Sequence, residues 1–221
     1  LNAIKLNLNG IKKISKERIL IELYKILDLK SFMVLNESTD LKEIFTLIFP
    51  EFKNLKRLEK LVKICEYPQV NRNLLLATLL IDDKDNHEYF GHKYNISNKI
   101  KDTLQSFAKN LKLVKEDKNF FHEDLEKNIY IYNKSYLADL NILNFVINTK
   151  IKFKDFSDTL NRILKSKNHE FKIDGKYLMQ NGIPQGLLIG KVLEEIEQEW
   201  MTNNFKISKH RIKEIIQSHS N

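Results

Sequence analysis

The stretch of sequence that decides the fold is Asn73-Leu74-Leu75-Leu76-Ala77-Thr78-Leu79-Leu80-Ile81. If it formed a buried strand, the residues that follow, Asp82-Asp83-Lys84-Asp85, would resemble the paired carboxylates of two-metal nucleotidyl transfer. Ala77 and the five leucines favour a helix instead. No glycine-serine phosphate loop precedes the stretch, and Lys84 would place a cation beside the metal ions. We therefore predict a helix, central because it is apolar almost all round, followed by a helix-terminating turn.

Helical periodicity continues along the rest of the chain. Only six glycines and three prolines occur in 221 residues, which leaves few turns for an all-β fold. Apolar residues recur three and four positions apart, and Ser15 and Ser97 stand where helix N-caps are expected. The sequence predicts an all-α fold, an irregular array of about ten short helices. They are predicted near residues 15–27, 30–36, 40–47, 55–65, 74–81, 97–113, 124–132, 135–148 and 156–166, and from residues 174, 184 and 208 onward.

Composition narrows the choice of compartment and partner. The single cysteine, Cys65, excludes an internal disulfide framework and indicates a reducing compartment, so we expect a cytoplasmic protein. No uncharged apolar run approaches the length of a membrane-spanning helix, so no membrane partner is expected. The formal net charge of +8 and the pI near 9.3 fit a nucleic-acid partner. They fit equally well the abundance of Lys, Asn and Ile that an AT-rich genome produces.

Basic residues are concentrated in three groups with helical spacing. They are Lys12, Lys13, Lys16 and Arg18; Lys53, Lys56, Arg57, Lys60 and Lys63; and Lys206, Lys209, His210, Arg211 and Lys213. Each group could follow a phosphate backbone or form an ordinary solvated helix face, and the three together favour RNA or DNA. The residues that we expect to contact RNA are Lys12, Lys13, Lys56, Arg57, Lys60, Gly186, Gly190, Lys206, Lys209 and Arg211.

The two glycines in that set belong to an unusual segment. Gly182, Gly186 and Gly190 are four residues apart, at the start of a helical pattern that opens near Pro184. This spacing would place all three on one helical face. Glycine weakens a helix interior, so its presence here predicts a close approach of another group. That group is either a neighbouring helix or a phosphate held at the amino end of the helix.

Two further patterns hint at an active site, and each is incomplete. His87 and His92 are five residues apart, whereas a zinc-binding helix needs histidines four apart, so we predict a solvated surface segment there. Residues 186–191 are one residue too short for a Walker phosphate loop, and Val192 replaces the hydroxyl that would bind magnesium. No nucleophile–base pair is evident. The sequence therefore predicts no catalytic residue and no metal ligand in this chain.

Two segments resemble the carboxyl-terminal half of bacterial class II tRNA nucleotidyltransferases, the CCA-adding enzymes and their poly(A) polymerase relatives. Residues 14–27 are similar to the Ser-x-Glu-Arg-Ile-x-x-Glu-Leu-x-Lys-Leu-Leu helix of that family's neck. Residues 182–193, followed by Trp200 and Asn204-Phe205, are similar to its tail pattern Gly-x-x-x-Gly-x-x-x-Gly-x-x-Leu. Between them, residues 73–80 and 94–98 stand where the family has a leucine-rich helix and a Leu-Ser-Asn turn.

The resemblance implies the late neck, body and tail of such an enzyme without its catalytic head. In the family, the head carries a Gly-Ser or Gly-Gly loop and two metal-binding aspartates, and an early neck motif, Glu-Asp-x-x-Arg, selects CTP or ATP. None of these occurs here, and the first residue is Leu1, so we expect a missing upstream segment. The implied parts, in an elongated arrangement, are a neck at residues 1–50, a body at 51–168 and a tail at 169–221.

The same resemblance implies that this chain binds the acceptor and T arms of tRNA. An N-terminal nucleotidyltransferase head, in cis or in trans, would add CMP and AMP to the tRNA 3′ end with magnesium and CTP or ATP. The chain itself would hold no cofactor and be inactive alone. A poly(A) polymerase is one alternative, because the tail pattern is common to both enzymes. A helical module that binds protein is another, and its binding would depend little on salt.

Overall fold

Every regular element in the described part of the chain is an α-helix. A computed structural model describes residues 7, 10, 13–27, 31, 34–35, 37–64 and 70–219. Within them the bounds of twelve helices are defined and no strand is present, so the predicted all-α fold is confirmed. Cys65 and most of the predicted helix at residues 30–36 lie outside the described residues. The helices are α1 (Lys16–Ile26), α2 (Thr39–Ile48), α3 (Arg57–Lys63), α4 (Arg72–Leu80), α5 (Asn86–Lys93), α6 (Asn98–Glu116), α7 (Leu125–Tyr132), α8 (Lys134–Ile147), α9 (Phe153–Lys165), α10 (Gly175–Gln180), α11 (Leu187–Thr202) and α12 (Lys209–His219).

Side chains with short polar groups start several of these helices. Ser15 Oγ accepts the backbone N–H of Arg18 at 3.3 Å, which confirms the predicted N-cap of α1. Asp174 Oδ1 accepts the N–H of Tyr177 at 2.9 Å and caps α10 in the same way. Ser97 stands at the N-cap position of α6, although its side chain makes no capping hydrogen bond. These local caps explain why the predicted starts of the helices fall close to the observed ones.

The stretch of residues 73–81 lies almost entirely in α4, and this helix is central, as predicted. Every residue of α4 from Leu74 to Leu80 is fully buried. The helix contacts α3, α5, α6 and α8. Its one buried hydroxyl, that of Thr78, donates to the carbonyl of Leu74 at 2.8 Å. Burying a leucine side chain contributes about 1.5–3 kcal/mol, so this helix is a major source of stability.

The acidic residues after α4 form the predicted helix-terminating turn. Asp82 Oδ1 accepts the backbone N–H groups of Lys84 at 2.9 Å and Asn86 at 3.2 Å. Asp85 has a left-handed backbone with φ of 52°, a conformation that Asp tolerates better than most residues. The turn therefore reverses the chain between α4 and α5.

The prediction of a solvated segment at residues 87–92 is confirmed for only one face of it: Glu88, Tyr89 and His92 are exposed, whereas His87, Phe90 and Gly91 are buried. These residues belong to α5, where His87 is buried and its Nε2 lies 3.0 Å from Gln105 Oε1. Aromatic packing holds this polar helix in place. The ring centroid of Phe90 lies 5.4 Å from that of Phe52 and 4.6 Å from that of Tyr94. The contact with Phe52 joins residues far apart in sequence, so the local pattern could not reveal it.

The chain divides into two compact units. Unit 1 comprises Leu1–Leu125 and Tyr132–Lys165, and unit 2 comprises Glu126–Ile131 and Ser166–Asn221. Each has buried apolar residues of its own. The core of unit 2 is formed by Leu178, Ile183, Val192, Ile196, Ile212, Ile215 and Ile216. The division into neck, body and tail at residues 50 and 168 stays a prediction.

A buried carboxyl group joins α4 to α8 within unit 1. Asn71, which caps α4 by accepting the N–H of Leu74 at 2.9 Å, donates to Asp139 Oδ2 at 2.6 Å. Asp139 is only 8% exposed. Burial raises the pKa of Asp139 to about 6, and the hydrogen bond from Asn71 opposes this only in part. The ionised form of Asp139 is therefore a cost to the folded state near neutral pH.

We expect Asp139→Asn to stabilise the protein at pH 7 and to do so much less at pH 4.5. The pKa of Asp139 is about 6 in the folded protein and near 3.9 in the unfolded chain. The protein therefore has the full stability that protonated Asp139 contributes below about pH 4, and it loses that contribution as the pH rises through 6. The loss amounts to roughly 2–3 kcal/mol. Urea unfolding of both proteins at the two pH values measures it. Asp102→Asn, at an exposed position of α6, is the control, and an equal pH response of the two variants would contradict the assignment.

Candidate nucleic-acid interface

The excess positive charge of the chain lies almost entirely in unit 1. That unit contains 28 Lys and Arg residues against 21 Asp and Glu, whereas unit 2 contains 9 against 8. Basic composition indicates a nucleic-acid partner only where the cations are localised and available. The positions of the cations in the fold therefore decide which of them can contact RNA.

The second predicted basic group does not form a single charged face. Helix α3 begins at Arg57, so Lys53 and Lys56 lie in the turns before it. Lys53, Lys56 and Lys63 are exposed, whereas Arg57 and Lys60 are half-buried. The two half-buried cations are used inside the fold.

Arg57 binds the carboxyl-terminal end of α4. Its Nη1 donates to the carbonyls of Thr78 at 3.1 Å and Ile81 at 2.6 Å. Burial lowers the pKa of Arg57, and the nearby Asp82 and Asp83 carboxylates oppose that effect. A cation at this end of a helix satisfies unpaired carbonyls and interacts favourably with the helix dipole.

Lys60 binds the carboxyl-terminal end of α8 in the same way. Its Nζ lies 3.2 Å from the carbonyl oxygen of Phe145 and 3.4 Å from that of Asn148, at the end of the helix. The ammonium group also lies 5.2 Å from the centroid of the Phe145 ring, which is cation–π geometry. One turn of α3 therefore presents two cations to the ends of two neighbouring helices. Contact of Arg57 or Lys60 with RNA stays a prediction, and it would have to coexist with these bonds.

The first and third predicted groups are exposed where they are described. Lys12 lies outside the described residues, and Lys13 is exposed. Lys206 and Lys209 are exposed and have no carboxylate partner among the described residues. Arg211 is already paired, since its Nε lies 2.8 Å from Glu199 Oε1 and its Nη1 lies 3.1 Å from Glu214 Oε2. An RNA phosphate would compete with two carboxylates for Arg211 but with none for the two lysines.

The glycines of the tail segment do not share a helical face, contrary to prediction. Helix α11 begins at Leu187, so Gly182 lies in the preceding turn and Gly186 is the N-cap. Their φ angles of 100° and 149° are ones that side chains disfavour. Gly190 is inside the first turn of α11 and exposed, and a Cβ added at Gly186 or Gly190 would meet no described atom within 4 Å. The close helix packing that was one of two expectations is therefore not found at either position.

The aromatic residues of the same segment pack within unit 2. The ring centroids of Trp200 and Phe205 are 4.9 Å apart, and Phe205 is stacked on His169 at 3.7 Å. Tyr130 meets Trp200 edge to face at 5.2 Å and donates a hydrogen bond to Glu197. Burial and this hydrogen bond raise the pKa of Tyr130 to about 12. These residues therefore have a clear structural role.

A fourth group of basic residues was missed in the sequence analysis. Lys109, Lys112 and Lys115 are exposed on α6, and no carboxylate pairs with them among the described residues. We call these three residues the α6 stripe. Their three-residue spacing is visible in the sequence, but a helix predicted to end near residue 113 leaves Lys115 outside it. The observed helix continues to Glu116, so all three lysines project from one element.

The described residues offer neither a metal site nor a membrane-spanning helix. No group of three or more His, Cys, Asp and Glu side chains there is placed to hold a metal ion. None of the helices defined there has both the length and the apolar composition needed to cross a membrane. The basic surfaces are thus the principal candidate site.

Comparison with known protein families shows to which family this basic chain belongs. The family model of tRNA nucleotidyltransferase domain 2 matches residues 66–216, most of the chain. The chain belongs to this family. The resemblance noted from the sequence is therefore confirmed at the level of the family. No curated protein and no solved structure matched the chain.

The match to tRNA nucleotidyltransferase domain 2 covers some candidate residues and not others. It includes the α6 stripe, the glycines around the start of α11 and the cluster Lys206, Lys209 and Arg211. Lys13, Lys56, Arg57 and Lys60 precede it. The α6 stripe is thus an exposed basic group that lies both in unit 1 and within the family match.

We expect Arg57→Ala to lower the free energy of unfolding by roughly 1–3 kcal/mol, because it leaves buried carbonyls of α4 without a donor. Lys56→Ala is the matched control, since Lys56 is the exposed neighbour and its removal should change the free energy by about 0.5 kcal/mol or less. Urea denaturation measures both. Equal destabilisation of the two variants would contradict the capping role of Arg57.

Proposed function

We propose that this chain holds the acceptor and T arms of tRNA for a CCA-adding nucleotidyltransferase. In this proposal a catalytic head, in cis or in trans, binds magnesium with CTP or ATP and adds CMP and AMP to the tRNA 3′ end. The observation that carries the proposal is the family membership over residues 66–216. The α6 stripe within that range supports an RNA partner.

Lysines on a rigid helix suit the recognition of folded RNA. The major groove of A-form RNA is too deep and narrow for side chains, so proteins recognise the duplex by its shape, phosphates and 2′-hydroxyls. A helix rises about 1.5 Å per residue, so Lys109 and Lys115 lie about 9 Å apart along α6. Their long side chains can reach neighbouring phosphates. The exposed amino end of α11, with Gly186 and Gly190, would offer backbone amides to another phosphate.

The described acidic residues do not fit a magnesium site. The Asp82 carboxylate accepts two backbone N–H groups of its own turn, and Asp139 is buried against Asn71. A two-metal site needs several carboxylates converging on one open position. We therefore assign no step of nucleotidyl transfer to the described residues. Its residues bind and orient the RNA.

We expect the chain alone to incorporate no nucleotide into tRNA that lacks its 3′ end, when incubated with CTP, ATP and magnesium. Binding of the same tRNA should be measurable in parallel by fluorescence anisotropy and should weaken steeply with salt. Robust incorporation would refute the assignment of the chemistry to a separate head. Preference for oligo(A) over a tRNA minihelix in competition would indicate the poly(A)-adding relative. Absence of salt-dependent RNA binding would indicate a protein-binding module.

We expect the triple substitution Lys109→Gln, Lys112→Gln and Lys115→Gln to weaken tRNA binding. The slope of log affinity against log salt should fall by about 0.7–0.9 for each phosphate that the variant no longer neutralises. The matched control is Lys150→Gln, Lys152→Gln and Lys154→Gln, which removes the same charge from exposed positions elsewhere in unit 1. Equal weakening in both triple variants would mean that only diffuse charge matters. Lys206→Ala with Lys209→Ala tests the tail lysines in the same assay.

A further inference from the structure

Unit 1 contains a cavity that is separate from the α6 stripe. It has a volume of about 430 Å³ and is lined by Pro50, Glu51, Lys53, Lys84, Asn86 and Tyr89. The lining residues come from the loop after α2, the turn after α4 and the first turn of α5. Small-molecule sites in proteins commonly have volumes of about 300–1,000 Å³, so the cavity can accept a single nucleotide.

The walls of the cavity are fixed by buried hydrogen bonds. Asn86 is 7% exposed, and its Nδ2 donates to the carbonyls of Glu51 at 2.7 Å and Leu80 at 3.4 Å. The buried carboxylate of Glu51 accepts hydrogen bonds from the Lys93 ammonium and, at 3.4 Å, from the Tyr94 hydroxyl. The charge of Glu51 is therefore neutralised inside the wall. A pre-formed wall reduces the ordering cost of binding a ligand.

Two cations without an ion-pair partner among the described residues remain on this wall. Lys53 and Lys84 are both exposed, and neither pairs with a carboxylate among the described residues. Asp82 is occupied by the backbone of its turn, and with Asp83 it lies close enough to Arg57 to stabilise that cation. Two lysines on one cavity wall favour a ligand with two negative charges, such as a phosphate monoester.

An aromatic ring completes the lining. Tyr89 is 59% exposed although its neighbour Phe90 is fully buried. Exposed aromatic side chains beside basic residues are the usual means by which proteins hold unpaired bases, since every base has a face that can stack. The cavity thus offers a stacking surface and a phosphate-binding wall at once.

We propose that this cavity binds one nucleotide, with its base stacked on Tyr89 and its phosphate between Lys53 and Lys84. The nucleotide is either free or an unpaired, 5′-phosphorylated end of an RNA strand, because both present the same base and phosphate. This inference goes beyond the proposed function and does not depend on it. A free nucleotide would bind even if the chain held no tRNA.

The test is isothermal titration of the chain with AMP, adenosine and inorganic phosphate. We expect saturable binding of AMP and at least tenfold weaker binding of adenosine and of phosphate. The double substitution Lys53→Gln and Lys84→Gln should weaken AMP about tenfold and leave adenosine unchanged. Tyr89→Ala should weaken AMP and adenosine alike by about tenfold, as expected when one stacking partner is removed, whereas Tyr89→Phe should bind normally.

Further measurements identify the source of the nucleotide and guard against misfolding. All three positions are exposed, and an unchanged thermal unfolding midpoint would confirm that each variant folds. Tighter binding of a 5′-phosphorylated trinucleotide than of AMP assigns the site to an RNA end, and equal binding assigns it to the free nucleotide. The double variant Lys150→Gln and Lys152→Gln, at exposed positions outside the cavity lining, should bind AMP as the unaltered chain does. Failure of both AMP and the trinucleotide to bind, or binding unaffected by Lys53→Gln with Lys84→Gln, would overturn the proposal.

Discussion

Unit 1 depends on hydrogen-bond donors for the carbonyl groups at the carboxyl-terminal end of α4, a helix that is buried on all sides. A helix ends in carbonyl groups without intrahelical partners, and at the end of α4 the residues that carry them are buried. Side chains from neighbouring segments supply the donors. Arg57 binds the carbonyls of Thr78 and Ile81, Asn54 lies 3.2 Å from that of Leu79, and Asn86 lies 3.4 Å from that of Leu80. The loop before α3 and the start of α5 are therefore placed by polar contacts as much as by apolar packing.

The need for donors at helix ends also determines which cations are available to bind RNA phosphates. Arg57 and Lys60 would count as surface charges in any reading of composition, yet they bind carbonyls at the ends of α4 and α8. Arg211 is similarly committed to two carboxylates. The exposed lysines of the α6 stripe have no such commitments. A chain with 37 Lys and Arg residues thus has fewer cations available to bind phosphate than its composition indicates.

The buried end of α4 and the nucleotide-sized cavity are parts of one arrangement. The turn that ends α4 carries Lys84 and leads directly to Asn86, whose amide bonds to Glu51 and closes the wall. Helix α5 follows this turn and exposes Tyr89, while Phe90 packs inward on Phe52. Sequence analysis assigned this helix-terminating turn a purely structural role. In the structure it also positions Lys84 and Asn86, which line the cavity.

The sequence by itself determined the all-α class, the Ser15 cap, the central place of α4 and the family, because these depend on local periodicity, capping groups and motif order. It could not reveal α5, whose polar residues become helical through aromatic contacts with distant Phe52. It also placed Gly182, Gly186 and Gly190 on one helical face, whereas α11 starts only after the second of them. Only the tertiary structure decided which cations are bound and which are exposed, because that depends on which backbone carbonyls and carboxylates the fold brings within hydrogen-bonding distance.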